Sequence, residues 1–184
     1  MLHVVGVGIC EGHITERAAK IIGAAEIVFG SKKAIELASK YISGEVVEMK
    51  KFCGEVYREI EKISSKKNVV VLSTGDPMVA GLGSKIDGVV ESGISSVQLA
   101  LAKLREDLCN CVVVDAHSRD ASGDFDLIEK RNLLILADRN FDPKVFGSRK
   151  VAIIENICGK ERFKICLAEE AEVKSDYAIV YVWK

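Results

Sequence analysis

The segment Ser73-Thr74-Gly75-Asp76-Pro77-Met78-Val79-Ala80-Gly81-Leu82-Gly83 gathers a hydroxyl, a carboxylate and several backbone amides with no side chain over them. Such a set can hold a polar ligand through N–H and C=O groups, because glycine leaves the backbone open to close approach. The segment follows directly on Val69-Val70-Val71-Leu72, a β-branched run that reads as a buried strand leaving a sheet and turning sharply. In open α/β sheets the crevice beyond the carboxyl ends of the strands is the usual ligand position. Taken alone, Gly-Asp-Pro is also a common structural turn. Its neighbours favour the ligand reading.

Two further segments carry groups of the same kind. Glu91-Ser92-Gly93-Ile94-Ser95-Ser96-Val97-Gln98 joins a minor strand to an amphipathic helix. Ser95 or Ser96 can be a plain N-cap there, or can hold a carboxylate or an adenine edge with the N–H groups of a helix start. Val114-Asp115-Ala116-His117-Ser118-Arg119-Asp120 places titratable residues just past the strand Val112 to Val114. Polar residues clustered beyond a strand end point to function, against the alternative of a surface loop in which Asp115 and Arg119 pair.

Other chemistries fit poorly. Val5-Gly6-Val7-Gly8-Ile9-Cys10-Glu11-Gly12 has its third glycine one residue too late for a dinucleotide fingerprint, and the second strand carries its acid, Glu26, at its start rather than its tip. No Gly-Lys-Ser/Thr follows the glycines, which argues against a Walker-type phosphate loop. Of the six cysteines none forms Cys-x-x-Cys, and Cys109 and Cys111 are too close for a common two-ligand clip, so the expectation is buried free thiols and no metal.

The elements that must position these residues alternate strand and helix through the first half, the pattern of parallel βαβ units. Strands are expected over Leu2 to Ile9, Glu26 to Phe29, Val46-Val47, Val69 to Leu72 and Val89-Val90. Helices are expected over Thr15 to Ile22 with Thr15 as N-cap, Ser31 to Tyr41 capped by Ser31, Val56 to Ile63, Met78 to Lys85, and Ser96 to Leu104. After Arg105-Glu106-Asp107 the pattern changes. Strands Val112 to Val114 and Leu133 to Leu136 flank a helix around Phe125 to Lys130, and Pro143 leads into a short helix at Val145-Phe146. Strands Val151 to Ile154, Phe163 to Leu167 and Ala178 to Trp183 then lie close enough for antiparallel pairing. The reading is two lobes, 1–107 mostly parallel α/β and 108–184 mixed α+β.

The 184 residues are 48% hydrophobic with a formal net charge of −1, so a polyanionic ligand would have to meet a local cluster of Arg and Lys. Nucleic acid and anionic membrane surfaces are not the expected partners. No apolar run approaches the ~20 residues of a spanning helix and no signal peptide is apparent, so a cytoplasmic location is expected.

With these turns in order, the whole chain resembles the tetrapyrrole (corrin/porphyrin) methylase family, the class III methyltransferases that use S-adenosyl-L-methionine. The resemblance rests on Val5-Gly6-Val7-Gly8 followed by Ile14-Thr15, on Ser73-Thr74-Gly75-Asp76-Pro77, and on Gly93-Ile94-Ser95-Ser96 opening a helix. Ser95-Ser96-Val97-Gln98, His117-Ser118-Arg119, and Ile154-Glu155-Asn156-Ile157 with Glu161-Arg162 after it resemble the branch that methylates carbon C5 of cobalt-precorrin-7 or precorrin-7 in cobalamin biosynthesis. Three departures stand out. Ile9-Cys10 replaces the usual Pro-Gly of the first loop, Ser92 stands where a proline is usual, and Ser118 where a glycine is common.

The resemblance implies the two-lobed fold of that family, with the cofactor in the cleft between the lobes. It implies cofactor contacts from Thr74, Gly75, Asp76, Val79, Ser95 and Ser96, and from Ala137, Asn156 and Ile157 of the second lobe. His117 would donate a hydrogen bond to the macrocycle or take a proton from it, and Arg119 would bind its rim carboxylates, with Arg139 and Lys32 as weaker candidates. A homodimer is implied, as is a separate partner for the C15 methylation and decarboxylation that a two-activity relative also performs. The alternatives are a family member acting on another substrate, and a non-catalytic nucleotide- or cofactor-binding module on the same fold.

Overall fold

A computed structural model describes residues 1–184, which fold as two compact units, Met1–Ser95 and Ser96–Lys184. In the first unit the elements run β1 (Leu2–Gly6), α1 (Glu16–Gly23), β2 (Ile27–Gly30), α2 (Lys32–Ala38), β3 (Glu45–Glu48), α3 (Gly54–Ser64), β4 (Val69–Ser73) and β5 (Val89–Glu91). The sheet order is β3-β2-β4-β1-β5 and every pairing is parallel, so all five strands end at one edge. Central β4 is buried along its whole length, which explains its unbroken apolar run. Separate hydrophobic clusters line the two faces: Val4, Ile27, Phe29, Val69 and Val71 with Tyr57 and Ile60 of α3, and Val5, Val28, Val70 and Leu72 with Ile22 of α1 and Ala34 of α2.

The expected caps are present. The Thr15 side chain accepts the Ala18 N–H at 3.0 Å and the Ser31 side chain accepts that of Ala34 at 3.2 Å. The helix expected over Met78 to Lys85 is absent, and the segment is a series of turns. Ala80 adopts φ 50°, and the Gly83 N–H reaches back to the Pro77 carbonyl at 2.8 Å. A left-handed residue interrupts the α ladder, and Gly81 and Gly83 favour the folded-back course.

The second unit runs α4 (Ser96–Leu104), β6 (Cys111–Asp115), β7 (Asn132–Ala137), β8 (Lys150–Glu155), β9 (Arg162–Leu167) and β10 (Ala178–Val182). Its sheet order is β6-β7-β10-β8-β9, with β6 and β7 parallel and the remaining pairs antiparallel, as the close spacing of the last strands predicts. Helix α4 lies with this unit and packs on β10, so the compact units divide ahead of α4 rather than after Asp107. Lys103 pairs with Glu161 at 2.9 Å, and the Trp183 indole donates to Glu106 at 2.7 Å. The segment around Phe125 is a 3-10 helix, Ser122–Glu129, rather than an α-helix. One main core fills a face of the sheet, with Leu133, Ile135, Val151, Ile153 and Val180 all fully buried.

Candidate functional site

The turns that follow β1, β4 and β5 meet through bare backbone. A Cβ on Gly6 would lie 2.6 Å from the Gly93 nitrogen and 2.8 Å from the Gly75 carbonyl oxygen, and one on Gly93 would lie 2.9 Å from the Gly6 Cα. No side chain fits at either position. Gly75, at φ 75°, forms an antiparallel bridge with Gly8: its N–H donates to the Gly8 carbonyl at 2.9 Å, and its carbonyl accepts the Gly8 N–H at 3.2 Å. The glycines therefore bring turn against turn, which the sequence reading took as room for a ligand alone. The Gly75 carbonyl keeps a second lone pair.

Asp76 ties the same turns together with its side chain. One carboxylate oxygen accepts the Met78 N–H at 2.7 Å and the other accepts the Gly93 N–H at 2.9 Å. Asp76 thus fixes the turn that leads into Ser95, which is 2% exposed. Thr74 and Val79 are half-buried beside it, and the Val79 N–H donates to the Asp76 carbonyl at 3.2 Å. Sequence reasoning missed His13, whose Nδ1 is a buried nitrogen without a hydrogen-bond partner.

The stretches 7–15, 74–83 and 92–95 contain no Lys or Arg, while Glu11 and Asp76 lie in them, Glu91 ends β5, and Lys85 comes further along the connection after β4. Arg17 pairs with Glu91 at 2.8 Å. A donor set of hydroxyls, backbone amides and carboxylates suits a ligand with neutral polar groups and positive charge, and it lacks the cations that phosphates select. S-adenosyl-L-methionine, a sulfonium without phosphates, fits this set.

In the second unit the residues singled out from the sequence gather at one edge of the sheet. β6, β7 and β8 end there and β10 begins there, since Ala178 pairs with both Ala137 and Glu155. Ala137 is buried at the tip of β7, Asn156 is exposed, and Ile157 is half-buried. The Ser175 hydroxyl donates to Asn156 Oδ1 at 2.7 Å, which leaves the carboxamide NH2 to serve a ligand. Asn156 has φ 52°, a left-handed conformation that Asn tolerates.

Two buried carboxylates hold this edge. Glu155, 1% exposed, accepts the Arg162 guanidinium at 2.5 Å and the N–H groups of Lys174 and Ser175 at 2.5 and 2.8 Å. Burial alone would raise its pKa, but the Lys174 amide, the Arg162 side chain and the Ser175 amide together outweigh that and hold it below the usual carboxylate range. Asp138, 5% exposed, accepts the N–H groups of Asn140 and Ser118, each at 2.8 Å, and these bonds hold it low as well. The Glu161-Arg162 pair after Glu155 was the visible signal for the first carboxylate. Asp138 had none beyond its place after a strand.

His117 and Arg119 flank Ser118, whose φ of 57° explains why glycine is common at that position. The His117 ring stacks on Tyr177, centroids 6.4 Å apart and planes 23° apart. Arg119 Nε donates to the Asp115 carbonyl at 2.6 Å, and its Nη1 lies 3.6 Å from Asp115 Oδ2, so the surface pairing is present and the guanidinium keeps donors for a further partner. Arg139 is held bidentate on Asp176, through Nε and Nη2 at 2.5 and 2.7 Å. Cys53 and Cys109 are exposed free thiols and Cys111 and Cys166 half-buried ones, while Cys10 and Cys158 are not free thiols, which corrects the expectation of six buried free thiols. No group of three His, Cys, Asp or Glu side chains has metal-holding geometry, and no helix is long and apolar enough to cross a membrane.

The first unit is built on a parallel sheet and the second on a mixed one, and the solved structures that share this two-lobed α/β fold are methylases. The family model for Tetrapyrrole (Corrin/Porphyrin) Methylases matches residues 1–171, and the chain belongs to that family and is a methyltransferase. It is 32% identical over 157 residues to a probable cobalt-precorrin-7 C(5)-methyltransferase of Methanocaldococcus jannaschii, covering 79% of this chain and 70% of the relative. It is 40% identical to the cobalamin-biosynthesis precorrin-6Y methylase of Archaeoglobus fulgidus, whose crystal structure superposes with a TM-score of 0.88 over 100% of this chain and 98% of that one. Uroporphyrin-III C-methyltransferase of Thermus thermophilus, solved with S-adenosyl homocysteine, shares the fold at 21% identity, with a TM-score of 0.75 over 100% of this chain and 97% of that one.

Proposed function

We propose that this chain transfers the methyl group of S-adenosyl-L-methionine to carbon C5 of cobalt-precorrin-7, or of metal-free precorrin-7, in cobalamin biosynthesis. The observation that carries this reading is the 40% identity to a precorrin-6Y methylase along the full chain. The stretches 7–15, 74–83 and 92–95 add support, because they hold no Lys or Arg to pair with the phosphates of an adenine nucleotide and so weigh against a nucleotide-binding module.

When bound, S-adenosyl-L-methionine supplies an electrophilic methyl carbon on sulfur. Thr74, Gly75, Asp76, Val79, Ser95 and Ser96 hold the cofactor, with Ala137, Asn156 and Ile157 contributing from the second unit. The protein's task is orientation and exclusion of water. Arg119 binds a rim carboxylate of the macrocycle through the donors that Asp115 leaves unused. His117 donates a hydrogen bond to the ring system, or takes the proton released as methylation proceeds. The enzyme acts in the cytoplasm as a homodimer, and a separate partner performs the C15 methylation and decarboxylation.

Calorimetric titration with S-adenosyl homocysteine, ATP and NAD tests the cofactor assignment. Saturable binding of S-adenosyl homocysteine with no binding of the phosphate-bearing ligands is expected. Preference for ATP or NAD would overturn the reading in favour of the module.

A further inference from the structure

Tyr177 is the most exposed of the large apolar side chains, at 72%, yet it is held in place from several directions. Its N–H donates to the Ser175 hydroxyl at 3.1 Å and its carbonyl accepts the Asn156 N–H at 3.0 Å. The preceding residues are anchored in turn, Lys174 and Ser175 through their amides to buried Glu155 and Asp176 through the Arg139 fork. On the other side of the stack, the His117 N–H donates to Asp115 Oδ1 at 3.2 Å and the Ser118 N–H donates to buried Asp138. Each ring of the stack therefore stands on backbone fixed by a buried carboxylate.

That investment in order serves no core, since Tyr177 remains exposed. An aromatic ring fixed and exposed at the sheet edge that also carries Asn156 and His117 has the makings of a stacking surface, because the π face of a second ring can be desolvated against it with little further loss of freedom. We propose that Tyr177, backed by His117, is the binding face for a planar conjugated ring of one of the enzyme's two ligands. The inference rests on the methyltransferase reading, whose ligands both carry such a ring, the adenine of the cofactor and the conjugated system of the macrocycle. The phenol hydroxyl has no part in it.

The test is to titrate S-adenosyl homocysteine and cobalt-precorrin-7 separately into the wild-type protein, Tyr177→Ala and Tyr177→Phe. Tyr177→Ala is expected to bind one of the two about tenfold or more weakly, with its thermal midpoint unchanged because the ring is exposed, while Tyr177→Phe binds both within about twofold of wild type. Loss confined to S-adenosyl homocysteine identifies adenine as the ring, and loss confined to cobalt-precorrin-7 identifies the macrocycle. Wild-type affinity of Tyr177→Ala for both ligands, equal loss for both, or equal loss in the Phe and Ala variants would overturn the proposal. If the wild-type protein binds neither ligand, the methyltransferase reading fails and the proposal falls with it.

Discussion

The turns beyond the first sheet touch through backbone: Gly6, Gly75 and Gly93 lie against one another with no space for a Cβ on Gly6 or Gly93, and one side chain, Asp76, stitches them. The turns beyond the second sheet are held by side chains instead. Glu155 and Asp138 are buried carboxylates whose partners lie up to 20 residues away; left-handed Ser118 donates its N–H to Asp138, and left-handed Asn156 follows Glu155. The first arrangement demands the absence of side chains and depends on shape. The second depends on charge, with desolvation offset by several hydrogen bonds to each carboxylate. The two edges should consequently fail under different perturbations.

The largest effect is expected at Glu155. Glu155→Ala removes the acceptor of the Lys174 and Ser175 amides and the carboxylate partner of Arg162, which keeps only the Glu172 carbonyl, and about 3 to 5 kcal/mol of stability should be lost in urea unfolding. The same carboxylate sets an acid limit. Because Glu155 and Asp138 are held below their ordinary values, their contribution is complete above the unfolded pKa of about 4 and is lost as pH falls through the folded values. The unfolding midpoint of wild type should fall in that window, and Glu155→Gln should fall less steeply. Parallel slopes for the two proteins would break the contrast between the edges.

Gly93→Ala should cost about 1 to 3 kcal/mol, since its methyl would press on the backbone of Gly6 and Gly75, which have no flexible end to move aside. Gly123→Ala, in the second unit, meets nothing within 4 Å and should leave the unfolding midpoint where it is. Equal effects at the two glycines would remove the distinction.

Asp76→Asn sharpens the comparison, because an amide has one acceptor oxygen for two converging N–H groups. Loss of one charge-assisted bond, about 1.5 kcal/mol or more, corresponds to roughly tenfold weaker binding of S-adenosyl homocysteine in a calorimeter. Wild-type affinity would show that the stitch between the turns does not shape the cofactor site. A small effect of opposite sign is expected at Ser118, where φ is 57°: Ser118→Gly should raise stability by up to about 1 kcal/mol in thermal unfolding, and a loss would mean that its hydroxyl matters more than its backbone strain.

What could be read from the chain divides along the same line. Strands, caps and the parallel pairing of the first unit were legible because they follow from local periodicity, from strand–helix alternation and from Thr15 and Ser31 at helix starts, whereas the strand order was not. The glycine turns were legible as special positions, though their reason, contact between turns brought together by the sheet, is a tertiary fact. Met78 to Lys85 misled because Pro77 suits the first turn of a helix, whereas left-handed Ala80 and the return of the Gly83 N–H to the Pro77 carbonyl exclude one. In the second unit Glu155 was marked by Glu161-Arg162 after it, but the roles of Asp138, Ser175 and Tyr177 were illegible, because each acts through a residue on another turn. Residue types signal a motif only when their partners are near in sequence.

The central claim is methyl transfer to one carbon of a corrin precursor. Incubation with S-adenosyl-L-methionine labelled with carbon-13 at the methyl group and cobalt-precorrin-7, followed by carbon NMR of the isolated macrocycle, reads it directly. One labelled methyl bonded to C5 is the predicted result. Label on another ring carbon, or an unlabelled macrocycle recovered from protein that binds both ligands, would contradict it.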